Sequence, residues 1–183
     1  MLRPALFLDR DGVINVDRGY VHRQEDFEFM PGIFELVRTA NKRGYLVVVV
    51  TNQAGIGRGY YSELQFLSLT SWMKECFRIE GARIDAVYFC PFHPEYGIGV
   101  YRQESDCRKP NPGMLFQAAK DFEIELTKSI IVGDKLSDME AGRSAGVGSL
   151  IHFLRDTERT VEGCVPIHEL GDVQSHLISG NGI

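Results

Sequence analysis

Leu46-Val47-Val48-Val49-Val50 is the most restrictive stretch of the chain. Successive apolar residues, mostly β-branched, cannot alternate between a buried and a solvated face, so a strand made from them must be covered on both sides. Sheets covered on both sides are mostly parallel and use helices as crossovers. The run stops at Thr51-Asn52-Gln53-Ala54-Gly55-Ile56-Gly57-Arg58-Gly59, a polar, glycine-rich loop. Ala5–Leu8 is a second apolar run that ends as abruptly, in Asp9-Arg10-Asp11-Gly12.

The rest of the chain alternates in the same way. Pro31-Gly32 opens a helix through Ile33, Phe34, Leu36, Val37 and Ala40, closed by the basic turn Lys42-Arg43 and Gly44. Ser62 with Gln65 predicts a capping box, and Leu64, Leu67, Trp72, Met73, Cys76 and Phe77 mark an amphipathic helix to about Glu80 whose aromatic and Met positions read as core. Strands are expected at Ile84–Phe89, Ser129–Val132 and Gly148–His152, with helices from Asn111-Pro112 to Phe122 and from about Ser137 to Ala145, stopped by Gly146. Pro91–Pro112 has no period and reads as a functional loop. The order β-α-β-α-β-loop-α-β-α-β predicts a mostly parallel α/β sheet with helices on both faces, and residues 1–183 as one domain. After about Arg155 no motif is found, although Ile167–Leu177 suggests a last helix.

Composition narrows the classes of function. At 44% apolar and 25% charged, the chain has the makeup of a globular protein, and a net charge of −5 argues against nucleic-acid partners. Its longest apolar run, Tyr45–Val50, is far short of the ~20 residues that span a bilayer. The start, MLRPALFLDRDG, puts aspartates where a signal peptide continues its apolar stretch, so the expectation is a cytoplasmic, monomeric protein with no membrane partner. Cys76, Cys90, Cys107 and Cys164 are too sparse for a disulfide framework. His22, His152, His168 and His176 have no ligand spacing and are expected in loops or on the surface.

The polar clusters all fall at the carboxyl ends of predicted strands, where parallel sheets bind ligands. Asp9 and Asp11, read as exposed at a strand end, repel each other unless a cation lies near. With Asp134 and Asp138 they form a hard oxygen set suited to Mg²⁺. Asp-x-Asp-Gly is also good turn chemistry, so that motif alone leaves both readings open. Lys109 alone could be a solvated surface lysine, and Arg58 and Lys135 could be ordinary surface charges.

Four segments taken together carry a resemblance: Phe7-Leu8-Asp9-Arg10-Asp11-Gly12-Val13-Ile14-Asn15, Val50-Thr51-Asn52-Gln53, Cys107-Arg108-Lys109-Pro110 and Gly133-Asp134-Lys135-Leu136-Ser137-Asp138. In order and spacing, from residue 5 to about 152, they resemble the four motifs of the haloacid dehalogenase (HAD) superfamily, which implies a Rossmann-like fold. The wording FLDRDGVIN, TNQAGIGRG and CRKPNPGM is similar to the D-glycero-D-manno-heptose 1,7-bisphosphate phosphatases, with histidinol-phosphatase domains as the nearest relatives.

The resemblance implies a Mg²⁺-dependent enzyme that removes the C7 phosphate of a heptose bisphosphate in nucleotide-activated heptose biosynthesis, a route that includes lipopolysaccharide. Asp9 would be the nucleophile and Asp11 the general acid and base, while Thr51 and Lys109 would hold the transferring phosphoryl group. Mg²⁺ would sit on Asp9, the Asp11 carbonyl and Asp134. Asp17, Arg18, Gly19, Tyr20, Asn52, Gln53, Ala54, Arg108 and Lys135 would contact the substrate, with Arg108 gripping the phosphate that is not transferred. A loop, one helix and one strand fill the chain from Asp11 to Thr51, and the stretch from Thr51 to Lys109 is equally full, so no cap domain is expected. Histidinol-phosphate specificity and a non-catalytic phosphosugar-binding module remain as alternatives.

One loop departs from the family pattern. Many relatives bind zinc there with Cys-x-His and Cys-x-Cys, and the matching positions here are Cys90, Phe92, Ser105 and Cys107. Phe92 cannot bind metal. His93 lies one residue late, with Glu104 and Asp106 near, which leaves a rearranged site open. The expectation is no structural zinc, with the loop packed through Phe92, Tyr96 and Tyr101.

Overall fold

The computed structural model describes residues 2–154 and 160–178. Six strands, β1 (Ala5–Leu8), β2 (Leu46–Asn52), β3 (Ala86–Cys90), β4 (Ile130–Gly133), β5 (Ser149–Phe153) and β6 (Val165–Ile167), form one sheet in the order β3-β2-β1-β4-β5-β6. Every pairing is parallel. The helices are α1 (Ile33–Lys42), α2 (Ala54–Gly57), α3 (Glu63–Ile79), α4 (Gly113–Phe122) and α5 (Leu136–Ala145). The α/β architecture and the two-sided burial of β2 are as the sequence predicts.

Alternate residues of the central strands serve opposite faces. Leu6, Leu8, Val47 and Val49 pack with Ile33 and Leu36 of α1 and Met73 and Phe77 of α3. Ala5, Phe7, Val48 and Val50 pack with Leu115 and Ala118 of α4 and Met139 and Ala145 of α5. No inserted cap domain separates Asp11 from Thr51, or Thr51 from Lys109.

The capping box forms as predicted: Gln65 N–H donates to Ser62 Oγ at 3.2 Å and Ser62 N–H to Gln65 Oε1 at 2.8 Å. The buried stripe of α3 differs, however. It runs through Phe66, Leu69, Met73 and Phe77, whereas Leu64 is 79% exposed and Leu67 46%. Both sets have helical spacing, and only the sheet decides which faces inward. The expected final helix is also corrected. Ile167 closes β6 on the free edge of β5, and only Leu170–His176 turns, as a 3-10 helix packed by Leu170 and Val173 under α1. His152, expected in a loop or on the surface, lies in β5 and is buried.

Candidate active site

β1 and β4 are neighbours, yet the chain runs from β1 outward to β2 and β3 before returning to β4. That reversal opens a crevice at their carboxyl ends. Asp9 directly follows β1, held by its N–H donating to the Val132 carbonyl at 3.1 Å, and Asp134 directly follows β4. Thr51 and Asn52 end β2, which lies on the other side of β1.

Asp9, expected to be exposed, is only 5% accessible. A strand only four residues long leaves the next residue still under the sheet's covering loops. Lys109 is equally buried, at 4%, and its ammonium lies 3.0 Å from Asp9 Oδ1 and 2.5 Å from Asp138 Oδ1 while donating to the Val50 carbonyl at 2.7 Å. Two carboxylates and a carbonyl keep a buried ammonium charged. Burial works against that charge, but Asp138 and Asp9 outweigh it and raise the Lys109 pKa. Burial pushes the Asp9 carboxyl up to about 7, with Lys109 pulling down and Asp138, Asp134 and Asp11 pushing further up.

Oxygens of Asp9, Asp134 and Asp138 lie within 4.8 Å of one another. Asp134 is pushed up to about 6, chiefly by burial, with Lys135 opposing, and its Oδ1 is buried with no hydrogen-bond partner among the described residues. An unpaired buried carboxylate oxygen beside two more carboxylates fits a small hard cation. The approach of Asp134 depends on Gly12, where φ is +97° and a Cβ would lie 2.1 Å from Asp134 Oδ2.

The Asp11 carboxylate has its own set of partners. Arg10 Nη2 reaches its two oxygens at 2.8 and 2.9 Å, and Asn15 Nδ2 and Gln53 Nε2 each donate at 3.0 Å. The cation needed between two neighbouring aspartates is thus Arg10, itself 1% exposed and lying over Phe27 and Phe66 at 6.0 and 5.7 Å. With its carboxylate engaged there, Asp11 would offer a metal its main-chain carbonyl.

Asp9, Thr51, Lys109 and Asp138 line a notch of about 40 Å³ that opens, past Asp11, Asn52 and Lys135, into a cleft of about 520 Å³. Of the sequence-predicted substrate contacts, Asp17, Gly19, Tyr20, Asn52, Gln53, Ala54, Arg108 and Lys135 line that cleft. Lys135 Nζ pairs with Asp17 Oδ2 at 3.1 Å; burial opposes its charge, and Asp134, Asp9 and Asp17 more than compensate, raising its pKa. Arg18 is not a lining residue and pairs with Glu28 outside. Arg58 stands behind the wall, bonded to Tyr20 Oη at 2.5 Å and lying 4.4 Å over the Tyr96 ring. The sequence reading missed Tyr61 and Ser137 as lining residues. Their spacing carries no signal for it, since one is brought in by the bend after α2 and the other by the first turn of α5.

In the departing loop, Cys90 and Cys107 do meet. Hydrogen bonding between the thiols pushes Cys90 up and holds Cys107 down, with Ser105 Oγ also 3.0 Å from Cys107 Sγ. His93 Nδ1 instead accepts from the N–H groups of Glu95 and Tyr96, both at 3.2 Å. Phe92 packs on Tyr101 with ring centroids 6.0 Å apart, while Tyr96, expected inside the loop, is 56% exposed against His93 and Arg58.

Comparison with known proteins agrees with this geometry. A family model described as HAD-hydrolase-like matches residues 106–152. The chain is 61% identical to the D-glycero-alpha-D-manno-heptose-1,7-bisphosphate 7-phosphatase of Burkholderia mallei over 87% of its own length and 85% of the relative's. It is 49% identical to the D-glycero-beta-D-manno-heptose-1,7-bisphosphate 7-phosphatase of Vibrio cholerae over 97% and 98% of the two chains. Among solved structures it is similar to D,D-heptose 1,7-bisphosphate phosphatase from B. bronchiseptica complexed with magnesium and phosphate, with a TM-score of 0.83, 26% identity and coverage of 95% and 97%.

Proposed function

This chain belongs to the D-glycero-D-manno-heptose-1,7-bisphosphate 7-phosphatase family of HAD-like hydrolases, and from that premise we propose that it removes the C7 phosphate of the sugar bisphosphate through a phosphoryl group carried on Asp9. The observation that carries the proposal is the pair Lys109 and Arg108: adjacent cations, one buried in the notch on Asp9 and one on the wall of the cleft. A bisphosphate needs both, because only one of its phosphates reacts.

An Asp9 oxygen attacks phosphorus as the bond from phosphorus to the C7 oxygen breaks, and the departing oxygen takes a proton from Asp11. Water then attacks the aspartyl phosphate and gives its proton to Asp11, releasing phosphate and restoring Asp9. Lys109 and the Thr51 hydroxyl hold the phosphoryl oxygens through both steps. Asp9, Asp134 and the Asp11 carbonyl would hold Mg²⁺, which supplies neutralising charge to the phosphoryl oxygens when bound. Arg108 and Lys135 take the second phosphate and Asp17 the sugar hydroxyls, while Asn52 and Gln53 shape the wall, their amides bound to Lys109 and to Asp11, Thr51 and Tyr61.

No helix among the described residues is long and apolar enough to cross a membrane, and the unpaired thiols of Cys90 and Cys107 suit a reducing cytoplasm. The zinc-binding role of the loop is replaced by Phe92 packing and by the internal bonds of His93. The test is turnover of the α- and β-anomers of the heptose bisphosphate beside histidinol phosphate. At least one anomer is expected to exceed histidinol phosphate by about a hundredfold in kcat/KM, the worth of one charge-assisted clamp. Equal rates overturn the substrate assignment.

A further inference from the structure

Gln53 is almost fully buried, and each polar atom of its amide has a partner. Nε2 donates to Asp11 Oδ2 at 3.0 Å and to Thr51 Oγ1 at 2.8 Å, and Oε1 accepts from the Tyr61 hydroxyl at 2.5 Å. Its main-chain N–H is fixed as well, donating to the Cys90 carbonyl at 2.8 Å. Asp11 Oδ2 also accepts from Arg10 Nη2 at 2.9 Å, so an acceptor oxygen faces the amide and the nitrogen must point to it. A flipped amide would set oxygen against oxygen. With Nε2 fixed on Asp11, Oε1 points to the Tyr61 hydroxyl, which is its donor.

Tyr61 is itself built in. It is 5% exposed, its ring stacks on His22 with centroids 4.9 Å apart and planes 4° from parallel, and it passes so close to Gly55 that a Cβ there would lie 2.2 Å from Tyr61 Cε1. Buried hydroxyls are normally hydrogen-bonded, and this one makes its bond to Gln53 Oε1.

We propose that Tyr61 is a positioning residue that acts through the Gln53 amide, holding the proton-transferring Asp11 and the phosphoryl-holding Thr51 in one fixed relation. Asp11 lies in the loop after β1 and Thr51 near the end of β2, and the shared amide nitrogen joins them directly. The proposal rests on the roles given to Asp11 and Thr51 above.

The test is a double-mutant cycle of wild type, Tyr61→Phe, Gln53→Ala and the double variant on the heptose bisphosphate, with a melting curve for each. Tyr61→Phe keeps the ring but leaves Gln53 Oε1 buried without its donor, so the melting point should fall by a few degrees with the fold retained, while kcat falls about three- to tenfold and KM holds within about twofold. In the Gln53→Ala background the loss of the hydroxyl should cost nothing further. Gln53→Met serves where Gln53→Ala yields no soluble protein. Wild-type kcat in Tyr61→Phe, a change confined to KM, or losses that multiply in the double variant each overturn the proposal. A wild-type enzyme inert toward the heptose bisphosphate overturns the substrate reading instead, and the same cycle is then run on p-nitrophenyl phosphate. Inertness toward both overturns both.

Discussion

Asn52 holds both main-chain polar groups of Lys109: its Oδ1 accepts from the Lys109 N–H at 3.0 Å and its Nδ2 donates to the Lys109 carbonyl at 2.9 Å. The end of β2 thereby sets the height at which a residue 57 positions later enters the notch. Removing the amide in Asn52→Ala leaves two backbone groups to find water. The expected cost is about 1–3 kcal/mol of stability, read by urea unfolding. The expected loss in kcat is at least tenfold, because the Lys109 ammonium shifts from the phosphoryl oxygens. An Asn52→Ala enzyme with wild-type kcat would show that Lys109 is placed by other contacts.

The raised carboxyl pKa values predict an unusual dependence of stability on pH. Asp9 moves up to about 7 and Asp134 to about 6, against 3.8 when unfolded, burial being the first cause in both. Between those limits the native metal-free chain keeps protons that the unfolded chain has released. The proton number of the unfolded state minus that of the native state is then negative, so stability falls as pH rises from about 4 to about 7. Urea unfolding in EDTA across this window should show a steeper fall for wild type than for Asp9→Asn, and Mg²⁺ should reduce it by binding the ionised forms. Parallel slopes for the two proteins contradict the assignment.

Arg108 separates a bisphosphate enzyme from a general phosphatase. Its Nη1 donates to the Phe92 carbonyl at 3.2 Å, which orients the guanidinium on the cleft wall. Arg108→Ala should cost on the order of 1.5–3 kcal/mol, roughly ten- to a hundredfold in kcat/KM, with the bisphosphate, and almost nothing with a small monophosphate. Lys109→Ala should damage both substrates alike. Equal losses with both substrates in Arg108→Ala would move that residue to the reacting phosphoryl group.

Metal removal distinguishes chemistry from architecture. EDTA should abolish turnover and Mg²⁺ restore it, while the melting temperature at pH near 7 moves by only a few degrees, since the core is formed by apolar packing on both faces of the sheet. Elemental analysis of the purified protein should find no stoichiometric zinc. One tightly held zinc per chain would mean that Cys90 and Cys107 recruit ligands after His93 gives up its bonds to the Glu95 and Tyr96 N–H groups.

The sequence by itself determined the parallel sheet, because Leu46–Val50 has no polar side to expose, and it determined which residue types stand at the strand ends. Local chemistry was legible too. Ser62 and Gln65 cap α3, and Gly146 ends α5 at φ +76°. What needed the tertiary structure was every property set by groups distant in the chain. Asp9 and Lys109 are buried because their charges neutralise each other and Asp138, three residues that no local window contains. Val165–Ile167 is too short to show a period and becomes a strand because β5 offers it an open edge. The choice between two helical stripes of α3 fell to Phe66 packing on Phe89, and the direction of Asp11 to a buried Arg10 and to the Gln53–Tyr61 pair. Residue type and spacing set which chemistry is available; burial and ion pairing, which depend on all neighbours at once, decide where each charge can rest.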